Sequence, residues 1–339
     1  MKALVLKQPG EFAYEDRPMP ECGREDLVIR VTAVCICGSD NHAIRGNQAM
    51  FSFPRVIGHE VAGVVHQVGE QVTDFRVGDQ VCLMPCIPCG TCRACQKGKT
   101  NACTKLNLYG VHQDGGLQEY LKAPAKNFMK IGSDARPETI AMVEPLTIGA
   151  HAVAKLDLAP GDEVLVVGAG PIGVSCAVNA RSYGADVMLA DTNVSRRKFV
   201  KERFGFEVLD PLAACYREQL EVITRQQMFD VVIDTTASKI SMENGWKYIA
   251  NGGKIVLVGI CGTTLELDGK GFHSREPSLY VTRNSTEEDY RRVLTLWEEG
   301  ELDPRRFVTH TAPFPQAATE ILRWMAPEAG VFKGVITFP

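Results

Sequence analysis

The sequence is short of several features that would point away from a small-molecule enzyme. No stretch reaches the ~18 consecutive apolar residues of a membrane-spanning helix. No long run of Lys and Arg offers a track for nucleic acid or an anionic membrane. The first residues, Met1-Lys2-Ala3-Leu4-Val5-Leu6-Lys7, read as a strand and lack the apolar stretch and cleavage site of a secretory signal. Internal repeats and low-complexity tracts are missing, and 45% hydrophobic with 23% charged residues is ordinary for a globular chain, which excludes fibrous and disordered classes. With 37 basic against 41 acidic residues the net charge is only −4. The expectation is a cytoplasmic globular protein whose partner is a small molecule.

What the chain does have is length, glycine and cysteine. At 339 residues it exceeds what one hydrophobic core serves efficiently, so two domains are expected. The texture divides accordingly. Up to about residue 150 short alternating strands are broken by Gly and Pro, as in Leu27-Val28-Ile29-Arg30-Val31 and Val61-Ala62-Gly63-Val64-Val65. From about 152 to 285 buried strands alternate with helical stretches: Glu163-Val164-Leu165-Val166-Val167, Asp186-Val187-Met188-Leu189-Ala190, Asp230-Val231-Val232-Ile233-Asp234 and Lys254-Ile255-Val256-Leu257-Val258. Such unbroken apolar runs suit a parallel sheet covered on both faces. An amphipathic helix follows over about 287–299, and Gly334-Val335-Ile336-Thr337-Phe338 reads as a last strand. The expected class is α/β: a β-rich domain of residues 1–151 and 286–339, and a doubly wound parallel-sheet domain of residues 152–285.

Twelve cysteines in a reducing compartment favour metal binding over disulfides. Cys89, Cys92, Cys95 and Cys103, spaced C-x2-C-x2-C-x7-C in a polar lobe over about 86–104, suit a closed tetrahedral Zn²⁺ site with no position for chemistry. Cys86 has the same spacing to Cys89 and is the weaker candidate. A second constellation draws on Cys35-Ile36-Cys37-Gly38-Ser39-Asp40-Asn41-His42 and Gly58-His59-Glu60. A catalytic zinc needs three protein ligands and an open position. Cys37 and His59 supply two, and Glu60 or Glu144 the third.

The run Val164-Leu165-Val166-Val167-Gly168-Ala169-Gly170-Pro171-Ile172-Gly173 is a strand followed by G-x-G-x-x-G and a helical stretch. Gly168, Gly170 and Gly173 permit a tight turn, close approach to a pyrophosphate, and close helix packing. Asp191, at the end of the next strand, can accept hydrogen bonds from the ribose hydroxyls and would repel a 2′-phosphate, which argues for NAD over NADP. Arg196 and Arg197 follow on the next helix, where they can approach a phosphate or form a solvated face.

In this order, Cys37, His59-Glu60, the four-Cys lobe, Glu144-Pro145 and the glycine turn resemble the medium-chain zinc alcohol dehydrogenases across essentially the whole chain. The likeness is greatest to the sorbitol and threonine dehydrogenase branch, where a carboxylate replaces a cysteine ligand at the position of Glu144. The resemblance implies a GroES-like catalytic domain and a Rossmann domain, two zinc ions per chain, NAD, and a homodimer or homotetramer, with a sheet edge at Leu257-Val258-Gly259 or nearby able to pair across a two-fold axis. It assigns Ser39 as the hydroxyl beside the substrate alcohol, His42 as a proton relay, and Asp40 as the carboxylate that orients the zinc-bound histidine; capping a helix after Gly38 is the lesser alternative for Asp40 and His42. Cys35 is expected in the core. Arg45-Gly46-Asn47-Gln48, Phe53-Pro54-Arg55, Gly110-Val111-His112-Gln113-Asp114-Gly115-Gly116 and Arg283-Asn284 resemble bacterial hexonate dehydrogenases. That implies oxidation of the C5 hydroxyl of L-gulonate or L-galactonate, with Arg45 and Arg283 gripping the carboxylate. A neutral polyol or L-threonine is the alternative substrate. A zinc-binding relative that had lost catalysis would show degraded ligands, whereas Cys37, Ser39, His59, Glu60 and Glu144 are all present.

Overall fold

The computed structural model describes residues 1–48, 51–132 and 135–339. The chain forms two compact units, Met1–Pro145 with Asp303–Pro339, and Leu146–Leu302.

The first unit is built on a seven-stranded sheet. Its long central strand, Asp26–Cys35, pairs antiparallel with Glu60–Val68, with Tyr120–Pro124 and with the terminal strand Gly334–Thr337. Leu27, Ile29, Val31 and Val34 are fully buried and form the core with Leu4, Leu6, Ile57, Val61 and Leu83. The register matters for function. Cys35 is opposite Glu60 on one side and Val335 on the other, so the ends of three strands converge. The chain leaves Cys35 and turns at once into the helix Gly38–Ile44. Cys35 itself is fully buried, as the sequence suggested.

The second unit holds a six-stranded, wholly parallel sheet in the order Val208–Leu209, Asp186–Ala190, Glu163–Val167, Phe229–Asp234, Ile249–Leu257, Ser278–Val281. Numbered in sequence, this is 3-2-1-4-5-6, the dinucleotide-binding order whose ligand crevice lies beyond the carboxyl ends of the strands where the order reverses. Val164, Leu165 and Val166 are completely buried, in keeping with the unbroken apolar run.

Two expectations shift. The helix Glu287–Glu298 falls in the second unit, and only the tail from Asp303 returns to the first. The reason lies in its polar ties. Thr286 and Asp289 form a capping box, Asp289 Oδ2 is 2.9 Å from His151 Nδ1, and Arg292 donates to Ser182 Oγ at 2.7 Å. These partners are spaced too widely in sequence to be read from periodicity. The segment Leu257-Val258-Gly259 is also no sheet edge, because its strand has neighbours on both sides. The edge next to it is Ser278–Val281, where Leu279 and Val281 are 40% and 68% exposed, and the opposite edge is Val208–Leu209. An apolar run alone does not say which of two adjacent strands lies outermost.

Candidate active site

Cys37 is the N-cap of the helix Gly38–Ile44, in extended conformation, so the helix starts where the strand ends. Asp40 closes this start: its Oδ2 accepts from the Cys37 amide at 2.9 Å. Its other oxygen faces His59 Nδ1 at 3.7 Å, beyond hydrogen-bond reach. Asp40 thus caps the helix start and stands beside His59 without a hydrogen bond to it. His59 and Glu60 lie at the start of the strand Glu60–Val68 and are both buried.

Cys37, His59 and Glu60 bring their donor atoms within 4.8 Å of one another, close to the span one ion bridges. A thiol, an imidazole and a carboxylate are a donor set that zinc accepts while keeping a position open. Within the described residues His59 Nδ1 is buried with no hydrogen-bond partner, a cost that metal ligation of the ring and tightening toward Asp40 would relieve. Burial opposes the imidazolium of His59, yet the Asp40 carboxylate and the Cys37 thiolate outweigh it and raise its pKa well above the ordinary value. Glu144, buried on the first turn of the helix Val143–Val153, is pushed up to about 7 by burial, with His59 pulling it down and Glu60 pushing it further up. The site thus favours a cation and disfavours a second free carboxylate.

The sequence reading missed Lys333. Its ammonium is buried against Glu60, with Nζ 2.7 Å from Oε1 and 2.6 Å from Oε2. Only Oε1 is aligned to accept the hydrogen bond, and Oε2 is held by charge alone. The signal available was a single Lys entering an apolar strand at Lys333-Gly334-Val335, and nothing local ties it to a residue 273 positions away.

Ser39, half-buried, and His42, exposed, lie on the helix Gly38–Ile44, three residues apart and so on one face. Arg45 caps its end, exposed, with Nη2 3.3 Å from the Met325 carbonyl. Arg283 is exposed in the second unit.

In the four-cysteine lobe Cys92 Sγ lies 3.5 Å from Cys95 Sγ and 3.9 Å from Cys103 Sγ. Disulfides need about 2.05 Å, whereas four thiolates around tetrahedral zinc with bonds of ~2.3 Å stand ~3.8 Å apart. The backbone amides of Cys89 and Lys105 both point at Cys103 Sγ at 3.3 Å. Amides from Cys95 and Thr104 hold the Cys92 thiol down at about 5, while burial and its sulfur neighbours push Cys95 up to about 12. Sulfurs this close can all ionise only around a cation. Cys86 is outside the cluster of four.

In the second unit the three glycines have three different reasons. Gly168 has φ +97°, and a Cβ there would meet Thr235 Oγ1 at 2.5 Å. At Gly173 a Cβ would lie 1.8 Å from the Gly168 carbonyl oxygen. At Gly170, N-cap of the helix Pro171–Arg181, a Cβ would meet nothing within 4 Å, so this is where the turn leaves room for a ligand at a helix N-terminus. Asp191 is buried, its Oδ2 accepting from the Ala169 amide at 2.8 Å and its Oδ1 from Asn193 at 2.8 Å. Arg196 leans on Asp191 at 3.3 Å with its side chain 42% exposed. Arg197 instead ties the strand end together, donating to the Asp191 and Thr192 carbonyls and to Asp210.

A Rossmann sheet with this turn, in a chain that also has a GroES-like unit carrying a thiol, imidazole and carboxylate cluster and a four-thiol lobe, defines a zinc-type dehydrogenase. Comparison with known proteins agrees. Residues 23–133 match the alcohol dehydrogenase GroES-like domain and residues 171–299 the zinc-binding dehydrogenase domain. The chain is 40% identical to L-galactonate-5-dehydrogenase of Escherichia coli strain K12 over 100% of its own length and 99% of that protein's. It is 32% identical to an L-threonine 3-dehydrogenase of Chelativorans sp. over 91% of each chain. The structure superposes on an alcohol dehydrogenase from E. coli CFT073, solved with NADH, with a TM-score of 0.93, 30% identity, and coverage of 100% and 99% of the two chains. The chain belongs to the zinc-binding alcohol dehydrogenase family and is an oxidoreductase acting on CH–OH groups.

Proposed function

We propose that the protein oxidises the C5 hydroxyl of a hexonate, L-gulonate or L-galactonate, to the keto acid with NAD. The observation that carries this substrate is the 40% identity to L-galactonate-5-dehydrogenase sustained from end to end. Residues 1–145 with the tail would hold the reacting alcohol, and the second unit the dinucleotide. Cys37, His59 and Glu60 would hold the catalytic zinc, with Glu144 close by, and Cys89, Cys92, Cys95 and Cys103 the structural one. When bound, zinc supplies a Lewis acid that makes the substrate hydroxyl more acidic, and NAD supplies the hydride acceptor.

The chain's own residues do the rest. Ser39 accepts the hydrogen bond of the substrate hydroxyl and donates onward, so the proton can pass to His42 on the same helix face and then to water. Asp40 fixes the helix start that presents Ser39 and holds His59 by its charge. The turn Gly168–Gly173 would give backbone amides to the pyrophosphate, and Asp191 would accept from the ribose hydroxyls, with Arg196 alongside. Arg45 and Arg283 are exposed guanidinium groups of the kind that grips a carboxylate bidentately. Free thiols throughout fit a cytoplasmic location, and a homodimer or homotetramer is carried over from the family resemblance. A neutral polyol or L-threonine is the second reading, supported by relatives such as the threonine dehydrogenase at 32% identity.

The test is a panel of L-gulonate, L-galactonate, D-mannonate, sorbitol, xylitol and L-threonine with NAD or NADP, each repeated after chelation. Chelator-sensitive NAD reduction with a hexonate is the expected result. Turnover of sorbitol or threonine alone would move the assignment to the second reading and remove the carboxylate role from Arg45 and Arg283.

A further inference from the structure

We propose that Lys333 stands in for the metal when the Cys37, His59 and Glu60 site is empty, and so sets how readily that site releases its ion. The inference rests on the reading of these three residues as a zinc site. It starts from the geometry of one buried ion pair. Lys333 is 5% exposed and its Nζ lies 2.7 and 2.6 Å from the two oxygens of Glu60, itself fully buried. A buried ammonium and a buried carboxylate each depend on the other, since either alone is strongly unfavourable.

The lysine cannot easily withdraw. Its carbonyl accepts from the amides of Thr309 and His310 at 3.0 and 3.2 Å, and the next residue's carbonyl accepts from Ile36 at 3.0 Å. The same strand then pairs Val335 with Cys35, which is opposite Glu60. These main-chain ties hold the stem of Lys333 within reach of the Glu60 carboxylate.

A dication held by Cys37, His59 and Glu60 would need a carboxylate oxygen of the Glu60 group that Lys333 pairs with, and its charge would repel the ammonium. Lys333 consequently stabilises the metal-free arrangement more than the metal-bound one. It keeps Glu60 in place for loading and opposes tight retention. A lysine with a purely architectural role would support both states equally and leave the exchange of metal unchanged.

Lys333→Met separates these cases, because it keeps the length and apolar stem and removes only the charge. Full-length protein loaded with zinc is mixed with the chromophoric chelator 4-(2-pyridylazo)resorcinol, and the release phase that disappears in His59→Ala is followed. In Lys333→Met that phase slows by about tenfold or more, a modest fraction of the cost of stranding a buried charge. The zinc-free form melts at lower temperature, so zinc raises the melting temperature further than in the native protein. Lys333→Arg, which restores the charge, returns both values toward native. If Lys333→Met does not fold, Lys333→Gln, a donor without charge, carries the same comparison. Release as fast as or faster than native in the charge-removing variant overturns the role of Lys333. Loss of no release phase in His59→Ala overturns the zinc-site reading instead, and with it this one. The absorption of the cobalt-substituted protein, unchanged by Lys333→Arg and shifted by Lys333→Met, marks the same charge at the ion.

Discussion

The two candidate metal centres share one unit and are assembled in opposite ways. The lobe takes four sulfurs from the short run 89–103, only one of them from a buried residue, and satisfies them with neighbouring amides. The other centre takes Cys37, His59 and Glu60 from the ends of converging strands, buries the last two, and holds a counter-ion from the far end of the chain. A closed shell of like ligands fits a staple for a polar loop. A mixed shell with an open position, balanced by buried charge, fits chemistry. The difference teaches that ligand count alone does not separate the roles, whereas burial and the surrounding charge do.

The sharpest way to break that contrast is to remove one thiol from each centre. Cys37→Ser should lower kcat/KM by about a thousandfold or more, roughly 4 kcal/mol of lost barrier reduction. Metal analysis should find one zinc fewer per chain, with the melting temperature little changed because the lobe is intact. Full zinc content with kcat/KM within tenfold of native would refute the assignment of the centre. Cys92→Ser should do the reverse. Losing the lobe's ion should cost about 3 kcal/mol of stability, read as a fall of several degrees in the thermal midpoint, while kcat/KM of the folded protein stays within about threefold. A thousandfold loss of activity with an unchanged midpoint would mean that the lobe, not the buried cluster, serves the reaction.

How much was legible in the sequence follows the same division. Local features were readable because their residues are neighbours: the lobe spacing, the strand and glycine turn over 163–173, Asp191, and the helix after Gly38 all stand in the structure. Cys37 and His59-Glu60 were found by residue type, but what brings them together is strand register, which no local pattern states. Lys333 escaped for that reason, as did the attachment of the helix Glu287–Glu298 to the second unit through His151 and Ser182. The choice between Glu60 and Glu144 was open in the sequence; in the structure Glu60 lies in the cluster of possible donors with Cys37 and His59, and the carboxyl of Glu144 is pushed up to about 7 by burial. The two arginines after Asp191 look equivalent in sequence and differ in space, one leaning on the carboxylate and one tying the backbone.

The smallest effects test the local motif itself, where two glycines three residues apart serve different ends. In Gly173→Ala the new methyl would lie 1.8 Å from the Gly168 oxygen, a backbone atom that cannot yield without opening the turn. Ala in place of a helical Gly ordinarily gains about 1 kcal/mol, and here the overlap should reverse the sign to a loss of about 2 kcal/mol, seen in thermal melting of the cofactor-free protein. In Gly170→Ala the methyl meets nothing within 4 Å and the backbone, at φ −76°, suits any residue. Its melting temperature should stay within about 1 °C of native, while the space given up raises KM for NAD by about fivefold, roughly 1 kcal/mol of lost binding. Equal destabilisation by both substitutions, with KM for NAD untouched by Gly170→Ala, would mean that the turn is built for packing alone and that its open side receives no phosphate.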